Sequence, residues 1–222
     1  MYWAHRGGFY YVLDRTSGQF LFGTPFATQT WAKGLDESGR PIRMPSIDPT
    51  KEGVVVWPGA LGATNWFSPS YNPETELFYV SVWESPGLYI KGEGDYEAGQ
   101  SFTGGRSRST LEENPGHGAV RALNAKTGEK VWDLELVAKP MNGVMSTASK
   151  LVFTGSASGH FYALDAETGE ELWRVNLGGQ GLAGIGDAAA IYTAPITYMS
   201  EGRQMVSVSA GHALFTFALG GR

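Results

Sequence analysis

Two stretches of this chain are near-copies of one another. ALNAKTGEKVW, starting at Ala122, and ALDAETGEELW, starting at Ala163, agree at seven of eleven positions and lie 41 residues apart. A third, decayed copy, VLDRTSGQFLF, starts at Val12 and has Phe22 where the other two have tryptophan. A strand-built repeat with a period of roughly 40 residues is the signature of propeller blades, each a four-stranded antiparallel sheet that buries its faces only against neighbouring blades.

The motif explains itself physically. FYALD alternates and ends at Asp165, whose carboxylate can accept backbone N–H groups of the turn that follows. Gly169 supplies the positive φ that closes the turn, and Trp173 on the returning strand is spaced to lie flat against the next blade. The best-formed blade is read as strands over residues 143–148, 151–156, 160–165 and 171–176. The blade before it is read over 66–72, 77–83, 119–124 and 130–136. A long excursion over about 84–118 separates its second and third strands; rich in Gly, Ser and charge, it is expected to be a surface loop covering one end. APITYM, QMVSVSA and LFTFAL supply three strands of a last blade, and residues 9–14 with 19–22 the last two of a first. Two whole and two incomplete blades cannot close into a ring, so the chain is expected to be an arc of something longer, prone to aggregate alone through unpaired strand edges.

Composition narrows the function classes. With 42% hydrophobic and 18% charged residues, the chain has the make-up of a packed globular domain. A net charge of −5 without a long basic run argues against nucleic acid as the main partner. No run of 18 apolar residues is present to span a bilayer as a helix. The absence of cysteine removes disulfides and thiolate metal sites. The N-terminal MYWAHRGGFYYVLD has no charged-then-apolar leader and enters strand-like sequence almost at once. In GATNW the amide of Asn65 and the indole of Trp66 sit side by side where an inner strand is expected to begin, close to the axis where a propeller keeps its ligand.

Four stretches, HRGGFYYVLDRTSG, GATNWFSPSYNPETELFYV, GAVRALNAKTGEKVW and STASKLVFTGSASGHFYALDAETGEELW, resemble the pyrroloquinoline quinone (PQQ)-dependent alcohol dehydrogenases of the methanol/ethanol type. The first two, in that order before the repeats, are the specific ones, since non-enzymatic propellers share the docking repeats. The resemblance implies an all-β fold: about three to four blades of an eight-bladed propeller with tryptophan-docking repeats, residues 1–222 forming the C-terminal part of one propeller domain. It also implies that Arg6, the basic residue before the FYYVLDR strand, reaches the quinone oxygens of PQQ, and that Asn65 and Trp66 lie against the same cofactor. The catalytic aspartate and the Ca²⁺ ligands would lie upstream, leaving no catalytic or metal residue in this chain. Met141 stands where the family often has a tryptophan near cofactor and substrate, and SVSAGHALFTFAL replaces a Gly-rich region.

The implied activity is oxidation of an alcohol or polyol in the periplasm, with electrons passing to a cytochrome or a membrane quinone. Two other readings stay open at this point. One is a scaffold propeller without redox chemistry, similar to outer-membrane assembly propellers. The other is a sugar-binding propeller using Trp66 and Trp83 as platforms. His212 and His5 are read as structural, and His117 and His160 as loop and strand-edge residues.

Overall fold

The structure, a computed structural model, describes residues 1–109, 111–178 and 190–220. Its strands run in chain order as β1 (Tyr2–Ala4), β2 (Phe9–Leu13), β3 (Phe20–Pro25), β4 (Ala32–Leu35), β5 (Pro41–Arg43) and β6 (Val54–Val56). They continue as β7 (Ser70–Asn72), β8 (Leu77–Glu84), β9 (Gly87–Lys91), β10 (Gly105–Arg108), β11 (His117–Asn124) and β12 (Lys130–Glu135). The last are β13 (Met145–Ser146), β14 (Leu151–Gly155), β15 (His160–Asp165), β16 (Glu171–Asn176), β17 (Ile196–Ser200), β18 (Arg203–Ala210) and β19 (Ala213–Ala218). Among the described residues the only helix is a 3-10 turn at Pro45–Ile47.

The chain divides into two compact units, Met1–Asn65 with Trp83–Gly116, and Trp66–Val82 with His117–Arg222, so that the boundary falls inside β8. In the second unit the sheets are β7-β8-β11-β12, β13-β14-β15-β16 and β17-β18-β19. The first two are the blades expected from the repeat, but their first strands are shorter than expected, Ser70–Asn72 against 66–72 and Met145–Ser146 against 143–148. Tyr79, Val120, Trp132, Val152, Tyr162 and Leu164 fill the core they share. Phe153, Phe161, Ile191, Val206 and Val208 fill the next. All eight residues of β8 are buried, as befits a strand covered on both faces.

The repeat works through a bulge and a turn. Between β11 and β12, Ala122 pairs with Trp132 but Leu123 with Lys130. Between β15 and β16, Ala163 pairs with Trp173 but Leu164 with Glu171. Between β2 and β3, Val12 pairs with Phe22 but Leu13 with Phe20. The skipped residues are Leu21, Val131 and Leu172, and all three are about half exposed. One extra residue thus turns the following aromatic onto the buried face. Asp14, Asn124 and Asp165 each accept two turn N–H groups through one side-chain oxygen.

Trp132 then reaches across to the next blade. Its Nε1 donates to the carbonyl of Ala166 at 2.9 Å, and the Tyr79 hydroxyl donates to the same oxygen at 3.0 Å. Its ring lies over Gly169 (φ 75°), where a Cβ would come within 2.7 Å of it. Trp173, 40% exposed, packs edge-on against Phe217.

Three local expectations are corrected. β7 begins at Ser70 rather than at Trp66, because Pro69 has no N–H for a ladder and residues 66–69 run as loop. A third strand, β1, joins β2 and β3. The excursion is not a bare loop: β9 pairs on one side with β6 and on the other with β10, making a sheet of the first unit.

Trp132→Ala should destabilise the protein by about 3–5 kcal/mol, and Trp173→Ala by clearly less, read from urea midpoints at constant slope. The turn bonds hold the Asp165 carboxyl below its ordinary value, the Thr168 N–H most of all. A lowered folded value means the stabilisation is present above the unfolded pKa, near 4, and lost as pH falls through the folded one. Asp165→Asn, imitating Asn124, should therefore leave stability at pH 7 nearly unchanged and flatten its decline below about pH 4, measured by thermal melts across pH.

Candidate functional site

The candidate site is built from the first unit, where a tight turn delivers Arg6 to the head of β2. Gly8 (φ 92°) donates to the His5 carbonyl, and His5 donates to that of Phe9. Trp31 seals this turn. Its Nε1 donates to the Gly7 carbonyl at 2.8 Å, and its ring would be 2.7 Å from any Cβ on Gly7. His5 is structural here. Its Nδ1 accepts the Gly7 N–H at 3.1 Å, and burial first, then the charge of Arg6, lowers its pKa and keeps it a neutral acceptor.

The segment Gly59–Asn65 wraps Arg6. The Ala63 N–H donates to the Arg6 carbonyl at 2.8 Å, and the guanidinium donates to the Ala60 carbonyl at 2.7 Å. Gly62 (φ 86°) comes so close that a Cβ there would be 2.9 Å from the Arg6 Cβ. The other side of the segment is pinned by Trp83 N–H to the Ala63 carbonyl and Gly59 N–H to that of Ser85. Gly59 and Gly87 are in backbone contact, and β9 with Tyr89 follows directly.

Around Arg6 lies a cavity of about 310 Å³ whose wall includes Trp31, Ile47, Val56, Pro58 and Tyr89, with no carboxylate side chain in its lining. Burial raises the pKa of the half-buried Tyr89 phenol, and the nearby Arg6 charge opposes that shift. The phenol therefore stays protonated at neutral pH. Such a cavity suits a flat, largely apolar ligand carrying an oxygen acceptor or a negative charge.

Of the three residues expected at the site, Arg6 lines this cavity; Asn65 and Trp66 do not. Asn65 is half-buried in the segment that wraps Arg6, its amide donating to the Leu61 carbonyl at 3.0 Å. Trp66 opens the second unit, 70% exposed, its ring 5.0 Å from that of Phe67. Between them and Gly62, the Thr64 hydroxyl is buried without a hydrogen-bond partner. Met141 is half-buried beside the fully buried Asn142. His212 is exposed in the turn between β18 and β19, and the His160 Nδ1 bonds the Ser158 hydroxyl. Trp83 is only 6% exposed, which removes it as a sugar platform. Among the described residues no group of three or more His, Cys, Asp or Glu side chains can hold a metal ion. No helix among them is long and apolar enough to cross a membrane.

Sequence reasoning missed Trp31 and Tyr89. Trp31 stands alone in TQTWAKG, outside any repeat, and Tyr89 is part of LYI, a short apolar run inside the excursion whose partner β6 lies more than 30 residues upstream.

Comparison with known proteins agrees with the motifs. A family model described as outer membrane protein assembly factor BamB matches residues 116–216, the repeat region. A quinohemoprotein alcohol dehydrogenase of Pseudomonas putida is 33% identical over 212 residues, 94% of this chain and 29% of that protein. A quinoprotein alcohol dehydrogenase of the same species is 39% identical over 94% of this chain and 35% of its own length. Among solved structures, the quinohemoprotein alcohol dehydrogenase of Comamonas testosteroni superposes on all of this chain and 36% of its own with a TM-score of 0.85 at 28% identity. A europium-containing methanol dehydrogenase covers 93% of this chain and 35% of its own, with a TM-score of 0.79 at 32% identity. The chain thus spans about a third of the length of the curated relatives it matches. The resemblance to the dehydrogenases and the fold class, an all-β segment of their propeller, are borne out.

Gly62→Ala should disturb the wrapping of Arg6 through both its φ and the contact with the Arg6 Cβ, costing about 1–3 kcal/mol. A thermal melt checks the cost, and a changed near-UV circular dichroism band reports the loosened Trp31 turn.

Proposed function

We propose that this chain, a relative of the quinoprotein alcohol dehydrogenases over 94% of its length, is the C-terminal part of the propeller of an enzyme that oxidises an alcohol or polyol with PQQ. The observation that carries this reading is Arg6. It occupies the basic position before FYYVLDR, and its guanidinium is presented to a cavity with aromatic and aliphatic walls and no carboxylate.

The residues present fit PQQ. The fork of Arg6 bonds Ala60 at one end and keeps donors over for a ligand in the cavity it lines. Arg6 would hold the quinone oxygens, its planar fork able to bond two of them and favouring negative charge there. Asn65, in the segment that wraps Arg6, would add an amide donor. When bound, PQQ supplies the two-electron acceptor for the alcohol. Residues 59–65 keep Arg6 in one place, and Trp31 and Val56 give its cavity apolar walls. The general base and the Ca²⁺ ligands belong to the part of the protein upstream of this chain, the electrons leave to a cytochrome or a quinone, and the site of action is the periplasm.

A scaffold role is the competing reading, favoured by the family-model match. That match covers the repeats alone, whereas the dehydrogenases match nearly the whole chain, including what precedes the repeats. The two readings divide on Arg6→Ala in the intact protein that contains this chain. Losing charge-assisted bonds worth about 1.5–3 kcal/mol should weaken PQQ binding roughly 10- to 150-fold, with dye-linked alcohol oxidation falling in step. Unchanged PQQ titration and turnover would remove Arg6 from the site and favour the scaffold.

A further inference from the structure

The excursion at Trp83–Gly116 places Tyr89 in the wall of the Arg6 cavity. The residue is held from both sides: in β9 it pairs with Val54 of β6 and with Ser107 of β10. At the root of the strand, the Gly59–Gly87 contact leaves no room for a side chain, so strand and Arg6-wrapping segment are fixed to each other. Tyr89 is therefore on a rigid element, as a specific contact requires.

The half-buried Tyr89 lines the cavity and lies close enough to Arg6 for the guanidinium charge to act on its phenol. The other polar groups of the wall are committed or charged. The Trp31 Nε1 is bonded to the Gly7 carbonyl, and Arg6 supplies the positive charge. The cavity therefore offers a ligand one cation and one neutral phenol donor, set in an apolar wall without an anionic group. That combination accepts carbonyl or carboxylate oxygens and rejects cations.

We propose that Tyr89 is a ligand-binding residue whose phenol donates a hydrogen bond to an oxygen of the same flat quinone that Arg6 holds. The assignment rests on the PQQ reading above. It gives the excursion a role in the site: its strand β9 carries the second donor.

The test uses the intact protein freed of cofactor, titrated with PQQ and followed by quenching of tryptophan fluorescence, with Arg6→Ala as reference. Tyr89→Phe removes only the hydroxyl; its thermal melt should match the unsubstituted protein. Loss of one donor should weaken PQQ binding roughly 3- to 12-fold, and Tyr89→Gln, which restores an N–H donor, should recover part of that loss. Tyr89→Phe binding PQQ as tightly as the unsubstituted protein, while Arg6→Ala binds weakly, overturns the Tyr89 assignment and leaves the PQQ reading standing. An effect confined to KM for the alcohol, with PQQ affinity unmoved, also overturns it, since the donor then serves the substrate. No quenching by PQQ in the unsubstituted protein overturns both.

Discussion

The contact of an indole with a peptide turn is what the blade architecture depends on. A lone four-stranded blade leaves both faces uncovered. Trp132 closes one of those gaps by stacking on the Gly169 turn while its N–H and the Tyr79 hydroxyl share the Ala166 carbonyl. The contact needs three things at once: a bulge to turn the ring inward, a glycine to receive it, and a carbonyl left over by the turn. The repeat ALxAxTGExxW encodes all three.

The site obeys a different logic. Arg6, Trp31 and residues 59–65 are held by bonds made mostly to backbone: Gly7, Ala60, Ala63 and the Arg6 carbonyl itself. Glycines at 7, 59 and 62 are required because the approaching groups occupy the space of a side chain. Such packing holds a cation beside a cavity without needing an anionic partner, which would compete with a ligand for its charge. The neutral state of His5 belongs to the same economy of charge.

Most of the strand pattern was legible in the sequence. β14 to β16 and β17 to β19 follow from alternation and turn residues, which are local signals. What escaped depends on partners far along the chain. β9 reads as part of a polar excursion until Val54–Val56 is placed beside it, and Trp66 reads as a strand residue until Pro69 is seen to interrupt the ladder. For the site, the HRGGFYYVLDR motif located Arg6. Trp31 and Tyr89 carry no motif; they face the cavity only because of non-local pairing. Asn65 shows the same limit from the other side, since a motif names a residue but not the direction of its amide.

The glycine-to-glycine contact between residues 59 and 87 separates two kinds of sequence freedom. Beyond it, residues 92–104 extend into solvent and can lengthen, shorten or change charge without touching the pinned root. At the contact itself, a single added methyl group would prise the excursion away from the arginine. Diversity among descendants of this gene should thus accumulate at the tip, while the hinge pair stays as small as chemistry permits.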